Sequence, residues 1–237
     1  MKHSFSVIVT ALSMSLFFFS CNSGGDTKTS TTDTTAVKTT APAPAAALGN
    51  VLVIMHKVAD YAKWKPAYEA DDSARRAHGL TNYFLGRGVD DPNMVYVVLK
   101  LSDEAKAKEM TGMPEMKTKM EKAGVTGQPT FDFLKLVMSD TTIQGDTRLR
   151  IKQKVIDWDA WKKVFDDHKQ ARMDAGLLDR AVTQSMDDNH IAVVVLTVTD
   201  MAKARAFVAS PDLKARMEKG GVEGTPEFFF YNVVQKY

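Results

Sequence analysis

Side chains that could bind or activate a substrate follow one predicted helix in the first half of the chain. Trp64, Tyr68, Asp71 and Arg75 stand at positions i, i+4, i+7 and i+11, so a helix places them along one face. A charged residue on such a stripe either ends the stripe at the surface or faces a cleft. An aspartate and an arginine four residues apart also stabilise a helix modestly. Both interpretations of Asp71 and Arg75 therefore stay open.

His56 belongs to the strand that precedes this helix, within the stretch VLVIMHKV. Period-two alternation puts it on the same face as the aliphatic residues of the strand, toward the interior. Together with Arg75 and Tyr68 it could orient or deprotonate a substrate. A hydrogen-bonded core histidine is the simpler interpretation. Core packing is likewise the simpler interpretation of Trp64.

The chain repeats itself at an offset of 97 residues. Positions 51–140 then face positions 148–237 without a gap, and 32 of these 90 positions are identical. Such a density of matches in one register indicates the duplication of one folding unit. The sequence therefore predicts two ferredoxin-like domains, residues 50–140 (repeat 1) and residues 147–237 (repeat 2).

The repeat also relates the candidate site residues to one another. No histidine is duplicated, because His56 faces Gln153 and His168 faces Asp71. A histidine base or a haem ligand would therefore serve at most one repeat. The predicted ligand-binding residues of the two repeats are His56, Trp64, Tyr68, Asp71, Arg75, Trp161, His168 and Arg172.

The element order of each repeat is predicted as β-α-β-β-α-β, which is the ferredoxin-like unit. Asp60 and Asp157 are expected to cap the first helix, and Gly79 and Gly176 to end it. Pro211 predicts a break in the second helical region. In the strand RLRIKQKV the basic residues alternate with aliphatic ones, so we expect their face to be wet. One unit leaves a sheet face bare, and two units predict a barrel with four helices outside.

Two pairs of segments resemble the dimeric α/β-barrel superfamily, in particular its cyclase-like or antibiotic-biosynthesis-monooxygenase-like domains. They are VADYAKWKPAYEADDSARRAHGL with MTGMPEMKTKMEKAGVTGQP, and VIDWDAWKKVFDDHKQARMDAGL with VASPDLKARMEKGGVEGTP. The resemblance implies an α+β fold in which both repeats form one intramolecular, pseudo-dimeric α/β barrel. We therefore expect a monomer. The resemblance is poor for function, because the superfamily contains oxygenases, haem-binding enzymes, isomerases and cyclases.

Three classes of function fit the sequence. The first is binding of a small, partly apolar ligand, and the second is a cofactor-independent monooxygenase-like or cyclase-like enzyme acting on an aromatic or polyketide-like compound. The third is an interaction protein without a small ligand. The lack of any duplicated histidine, cysteine or catalytic carboxylate set favours binding over catalysis. A net charge of +2 without a basic block predicts no nucleic-acid partner, and the sequence predicts no metal site and no cofactor.

The N-terminus predicts export. MKHSFSVIVTALSMSLFFFSC has a basic start, an apolar run that is short for a membrane span, and small residues near its end. FFSC resembles a bacterial lipobox, although Phe18 stands where leucine is preferred. Residues 1–20 are therefore predicted to be a lipoprotein signal peptide, with a plain signal peptide as the alternative. Cys21, the only cysteine, would carry the lipid, such as palmitate.

The next segment predicts a tether. Residues 21–49 are rich in Thr, Ala and Pro, carry few large apolar side chains, and are expected to be disordered. The folded repeats would then be held at a membrane by the lipid. We expect the protein in the cell envelope, at the outer membrane, on the periplasmic or surface side.

Overall fold

The computed structural model describes residues 49–237. The predicted signal peptide, Cys21 and all of the predicted tether except Gly49 lie outside the described residues. Within residues 49–237, no helix has both the length and the apolar character needed to cross a membrane.

Each repeat contains four strands and four short helices. Repeat 1 comprises β1 (Val51–Val58), α1 (Tyr61–Ala70), α2 (Asp72–Ala77), β2 (Leu80–Gly88), β3 (Met94–Leu101), α3 (Glu104–Gly112), α4 (Pro114–Lys122) and β4 (Val125–Ser139). Repeat 2 comprises β5 (Thr147–Val155), α5 (Trp158–Asp167), α6 (Lys169–Asp174), β6 (Leu177–Ser185), β7 (Ile191–Val198), α7 (Met201–Val208), α8 (Pro211–Lys219) and β8 (Val222–Lys236). The predicted β-α-β-β-α-β order is confirmed, with each helical region divided in two.

The first helical region is divided at Asp71, so the predicted continuous helix is wrong. The backbone of Asp71 leaves the helical conformation (φ −88°, ψ 10°) between α1 and α2, and His168 does the same between α5 and α6. The break that Pro211 predicts in the second region is confirmed, and Ser210 caps α8 by accepting from the amide of Leu213 at 3.1 Å. Gly79 ends the first region with φ +74°, a conformation that suits glycine because it lacks a Cβ.

The eight strands form one closed antiparallel barrel. Their order around it is β1-β3-β2-β8-β5-β7-β6-β4. Two pairs join the repeats, β2 with β8 and β4 with β6, so each repeat supplies the neighbour that the edge strands of the other lack. The predicted tandem barrel is confirmed. Closure leaves none of these strands with an unpaired edge, which is how barrels avoid edge-to-edge association.

Buried side chains form three cores. One lies inside the barrel and includes Tyr96 and Tyr231. The other two lie between the outer face of the sheet and the helices, around Trp64 in repeat 1 and around Trp161 in repeat 2. Alternation along each strand therefore divides its residues between the barrel interior and a helix-covered face.

The sequence suggested that the basic face of β5 is exposed to solvent, but most of this face is buried. Arg148 and Arg150 are only 6% and 1% exposed, on the side of the strand that faces the barrel interior. The prediction was wrong because closure of the barrel buries both faces of this strand. Lys154, near the other end of β5, has a side chain that is 53% exposed, so the expectation holds only at that end.

Candidate functional site

A cavity of about 360 Å³ lies in repeat 1 between the outer face of the sheet and the surrounding helices; we call it the repeat 1 cavity. All five candidate residues of this repeat line it, which are His56, Trp64, Tyr68, Asp71 and Arg75. Most of the remaining wall is apolar, with methionines from α3 and α4 and the ring of Phe131 from β4. The structure thus brings together the residues that the helical stripe and the strand alternation selected.

His56 is buried without a hydrogen bond. It is 3% exposed, and neither ring nitrogen has a partner among the described residues. Its ring lies beside the indole of Trp64, with 5.3 Å between the ring centroids. Burial lowers the pKa of His56 from 6.5 to about 4 because the charged form loses its hydration. The imidazole is therefore neutral at pH 7 and presents one free acceptor and one free donor at the cavity.

Arg75 is buried with only part of its guanidinium paired. It is 5% exposed; its Nη1 donates to the carbonyl of Tyr68 at 2.7 Å, and the group stacks 3.9 Å from the centroid of the Tyr68 ring. Nε and Nη2 make no hydrogen bond to any described residue. Oδ1 of Asp72 is 3.8 Å from Nη2, beyond hydrogen-bond distance. A guanidinium keeps its charge in a protein, so two of its donors await an acceptor.

Tyr68 and Asn82 form a hydrogen-bonded chain next to Arg75. The Tyr68 hydroxyl donates to Oδ1 of Asn82 at 2.5 Å, and Nδ2 of Asn82 donates to Oδ1 of Asp72 at 2.8 Å. Burial raises the pKa of Tyr68, so its hydroxyl remains protonated at neutral pH. This chain engages both the oxygen and the nitrogen of the Asn82 amide, and Asn82 makes no hydrogen bond to Arg75.

The four-residue spacing suggested an ion pair between Asp71 and Arg75, but the structure does not form it. Its carboxylate accepts from Nζ of Lys119 on α4 at 3.0 Å, and both side chains are partly exposed. The prediction was wrong because the carboxylate of Asp71 turns toward Lys119, whereas the guanidinium of Arg75 turns toward the carbonyl and ring of Tyr68. The ion pair instead connects the first helical region to α4 where both line the cavity.

The equivalent space in repeat 2 is nearly filled. A cavity of about 40 Å³ remains there, lined by Trp161, His168 and Arg172 among others; we call it the repeat 2 cavity. His168 is 7% exposed, and its Nε2 lies 2.9 Å from Oδ2 of Asp212. Its ring packs 5.6 Å from that of Phe207. The candidate residues therefore separate into two sets, one in each repeat.

Arg172 differs from Arg75 in having a carboxylate partner. Its Nε and Nη2 donate to the two oxygens of Asp179, each at 2.7 Å, and its Nη1 donates to the carbonyl of Phe165 at 2.6 Å. Asp179 occupies the position that Asn82 has in repeat 1. Two changes of residue type, Asn82 to Asp179 and Asp72 to Lys169, thus decide whether this buried guanidinium has a carboxylate within hydrogen-bond distance.

Side-chain volume explains the difference in cavity size. Ala67 and Met110 line the repeat 1 cavity, and Val164 and Phe207 take their places in repeat 2. The larger side chains extend into the space between helices and sheet. His168 in place of Asp71 adds a ring on the same side.

Sequence reasoning missed Asn82 and Lys119 as members of the site. A signal was present for Asn82, because the two repeats align an amide with the carboxylate of Asp179 on a strand. Lys119 carried no such signal, since Arg216 is its equivalent and both are cationic. In the described part of the chain, no group of three or more His, Cys, Asp or Glu could hold a metal ion.

Comparison with known proteins gives structural relatives only. No protein-family model matches the sequence, and no curated protein matches it. A solved anthrone oxidase-like protein aligns with a TM-score of 0.56 and 12% identity over 80% of this chain and 93% of that one. A candidate monooxygenase from Fusobacterium nucleatum subsp. nucleatum aligns with a TM-score of 0.51 and 12% identity over 81% and 94%.

Both alignments are longer than one repeat, so the likeness extends over the two halves of the chain. At a sequence identity of 12%, these similarities support a shared fold and do not indicate a shared function. The chain therefore has the ferredoxin-like, dimeric α/β-barrel fold, with both halves of the barrel in one polypeptide.

Proposed function

We propose that repeat 1 binds a small, mostly apolar molecule that carries one acidic oxygen group. The observation that carries this proposal is the cavity of about 360 Å³ lined by Arg75, whose Nε and Nη2 have no hydrogen-bond partner among the described residues. Its volume is at the lower end of the range of about 300–1,000 Å³ typical of small-molecule sites. Its apolar wall would bury the body of the ligand, and the few polar groups would fix its orientation.

The free edge of Arg75 argues for an acidic group. Nε and Nη2 are the atoms that Arg172 uses to bind both oxygens of Asp179. A guanidinium edge of this kind matches a carboxylate with two parallel hydrogen bonds. A ligand carboxylate in the cavity would therefore accept from Arg75 the same pair of hydrogen bonds that Asp179 accepts from Arg172. Lys119 near the same cavity adds a second positive charge.

His56 supplies a neutral polar contact at the same cavity. Its free ring nitrogens would donate to, or accept from, a second polar atom of the ligand. A neutral histidine with a pKa of about 4 is a weak base, so it suits hydrogen bonding better than proton abstraction at neutral pH. This property supports binding over catalysis as the first function.

Two matched probes test the proposal. 2-Naphthoate and 2-naphthamide share the same aromatic body, and only the first carries a carboxylate. Calorimetry on the purified protein should give one naphthoate per chain, bound at least about tenfold more tightly than the amide, the equivalent of about 1.4 kcal/mol. Arg75→Met should remove this preference, and Lys63→Met, which changes an exposed cation on α1, should keep it. Equal affinity of the wild type for both probes, or no binding of either, would contradict the proposal.

A cofactor-independent monooxygenase-like or cyclase-like enzyme is the second candidate. The observation that favours it is His56, which could take a proton from a bound aromatic or polyketide-like substrate. The anthrone oxidase-like relative suggests anthrone as the probe. Oxygen uptake with anthrone that is lost in His56→Gln would favour the enzyme. Binding of the probes without any turnover would favour the binding function.

We further propose that a lipid on Cys21 holds the protein at a membrane in the cell envelope, as a monomer. The lipobox-like FFSC and the Thr-, Ala- and Pro-rich segment after it support the anchor, and the mutual pairing of the two repeats supports the monomer. Labelled palmitate should enter the wild type and not Cys21→Ser. Labelling of both proteins alike, or of neither, would reject the anchor, and a stable dimer in light scattering would reject the monomer.

A further inference from the structure

The barrel interior is chemically unlike the repeat 1 cavity. Repeat 1 contributes Val51 and Val53 to it, and the equivalent positions of repeat 2 are Arg148 and Arg150. Two buried cations thus enter a core that is otherwise rich in valines and aromatic rings. A buried charge is costly unless a counter-charge and hydrogen bonds compensate it.

Only one of these arginines is neutralised by the described residues. Nη2 of Arg150 lies 2.6 Å from Oδ2 of Asp132, and the other oxygen of this carboxylate takes Lys152 at 2.6 Å. Asp132 is therefore already shared between two cations. Arg148 makes no ion pair with any acidic residue in the range 49–237, and its Nε has no hydrogen-bond partner there.

The side chains around Arg148 are aliphatic, aromatic, hydroxyl-bearing or cationic. Its guanidinium lies 4.9 Å from the centroid of the Phe84 ring. A cavity of about 50 Å³, which we call the barrel cavity, lies beside it, and the described residues that line it include Arg148 and Arg180 and no Asp or Glu. The guanidinium of Arg180 is held by carbonyl oxygens of Asp140 and Ile143, at 2.6 and 2.8 Å.

The hydroxyl group of Tyr231 also lies at the barrel cavity. Tyr231 lines the barrel cavity, is fully buried, and its hydroxyl makes no hydrogen bond to the described residues. Burial raises the pKa of Tyr231, so the group is a donor at neutral pH. The guanidinium of Arg148, whose Nε has no partner, and the hydroxyl of Tyr231, whose pKa the nearby Arg148 lowers only in part, thus meet at one small cavity without an acidic lining residue.

We propose that the barrel cavity binds one small monovalent anion of chloride size, held by Arg148 and the hydroxyl of Tyr231. The cavity exceeds the roughly 10–15 Å³ that a single water requires and is far smaller than sites for organic ligands. An anion neutralises Arg148 where a water would leave its charge uncompensated. The site is independent of the repeat 1 cavity, which lies on the opposite face of the sheet.

The duplicated position supplies a matched variant. Arg148→Val puts into repeat 2 the residue that repeat 1 already carries at Val51 on the equivalent strand. Thermal unfolding of the whole protein is compared in sodium chloride and in sodium gluconate, whose anion is too large for the cavity. Chloride at ten times its dissociation constant should raise the Tm of the wild type by about 3–6 °C. Arg148→Val should unfold at the same temperature in both salts, and Tyr231→Phe should show a smaller shift than the wild type.

Crystals grown in bromide give a second readout that does not depend on any variant. The expected result is an anomalous peak within hydrogen-bond distance of Arg148. Equal responses of the wild type and Arg148→Val to chloride would overturn the site, since the effect would then come from elsewhere. An absent bromide peak at Arg148 would overturn it as well, because water would then fill the cavity.

Discussion

In repeat 1 the space between sheet and helices contains a cavity of about 360 Å³, whereas the same space in repeat 2 contains about 40 Å³. The tryptophan and the arginine of this space are identical in the two repeats. What differs is the set of residues around them. The comparison teaches that one backbone architecture serves as a packed core in one copy and as a candidate binding site in the other.

The two buried arginines show the same contrast in electrostatic terms. Arg172 is neutralised by Asp179, and Arg75 faces Asn82 at the equivalent position. The carboxylate nearest to Arg75, that of Asp72, is 3.8 Å from its Nη2 and beyond hydrogen-bond distance, so the buried charge of Arg75 is compensated less well than that of Arg172. We interpret this difference as the reason why an acidic ligand would bind repeat 1 with selectivity.

The largest expected effect is a difference in the free energy of unfolding between variants of these two arginines. Arg172→Met leaves the buried carboxylate of Asp179 without a partner, which should lower the free energy of unfolding by about 3–5 kcal/mol. Arg75→Met strands no carboxylate of this kind and should cost about 1–2 kcal/mol, mainly its hydrogen bond and stacking. Denaturant unfolding of both variants measures the difference. Arg172→Met/Asp179→Asn should recover most of the loss, and equal costs for the two single variants would break the comparison.

A second expected effect concerns pH and His56. The pKa of this residue is about 4 in the folded protein and near 6.5 in the unfolded chain, so the unfolded chain binds the proton first as the pH falls. Stability should therefore decrease between pH 6.5 and 4, by up to about 3 kcal/mol from this group. His56→Gln, which copies Gln153 of repeat 2, should lose this part of the pH dependence. Parallel pH profiles for both proteins would show that His56 is not buried as a neutral ring.

A third expected effect is the loss of ligand affinity when the repeat 1 cavity is filled with the larger side chains of repeat 2. Ala67→Val/Met110→Phe should weaken naphthoate binding at least about tenfold, or about 1.4 kcal/mol, because the added atoms occupy the ligand volume. Its stability should stay within about 1 kcal/mol of the wild type, since repeat 2 tolerates both residues. Val164→Ala/Phe207→Met is the matched control and should leave naphthoate affinity unchanged. Undiminished binding in the filled variant would place the ligand elsewhere.

The smallest expected effect is that of the ion pair between Asp71 and Lys119. Both side chains are partly exposed, so a double-mutant cycle with alanine should give a coupling of about 0.2–1 kcal/mol. The equivalent cycle with His168 and Asp212 joins a buried ring to a carboxylate and should give a larger value. A larger coupling at Asp71 than at His168 would contradict the view that the space between sheet and helices is packed more tightly in repeat 2.

Much of the fold could be predicted from the sequence. The offset of 97 residues exposed the duplication, and strand alternation with the capping residues gave the order of elements. The split of the first helical region was missed because Asp71 is an ordinary helix-compatible residue whose backbone conformation depends on tertiary contacts. Burial of Arg148 was missed because alternation defines two faces of a strand, and only closure of the barrel decides that both are covered.

The candidate site could be predicted in part. Periodicity selected Trp64, Tyr68 and Arg75, and the structure places them on one cavity. Whether a cavity exists depends on volumes that meet across elements, such as Ala67 and Met110, and a sequence pattern does not measure these. The missing partner of Arg75 depends on Asn82, which only a comparison of the two repeats singles out.

The most direct test of the account transfers the ion pair of repeat 2 into repeat 1. Asn82→Asp/Asp72→Lys gives repeat 1 the residues that repeat 2 has at both positions, Asp179 and Lys169. Calorimetry with 2-naphthoate and 2-naphthamide is then compared between this variant and the wild type. The account predicts that the preference for the acid falls from at least about tenfold to near unity while the amide still binds. An unchanged preference would contradict it, because the acid would then not depend on an unpaired Arg75.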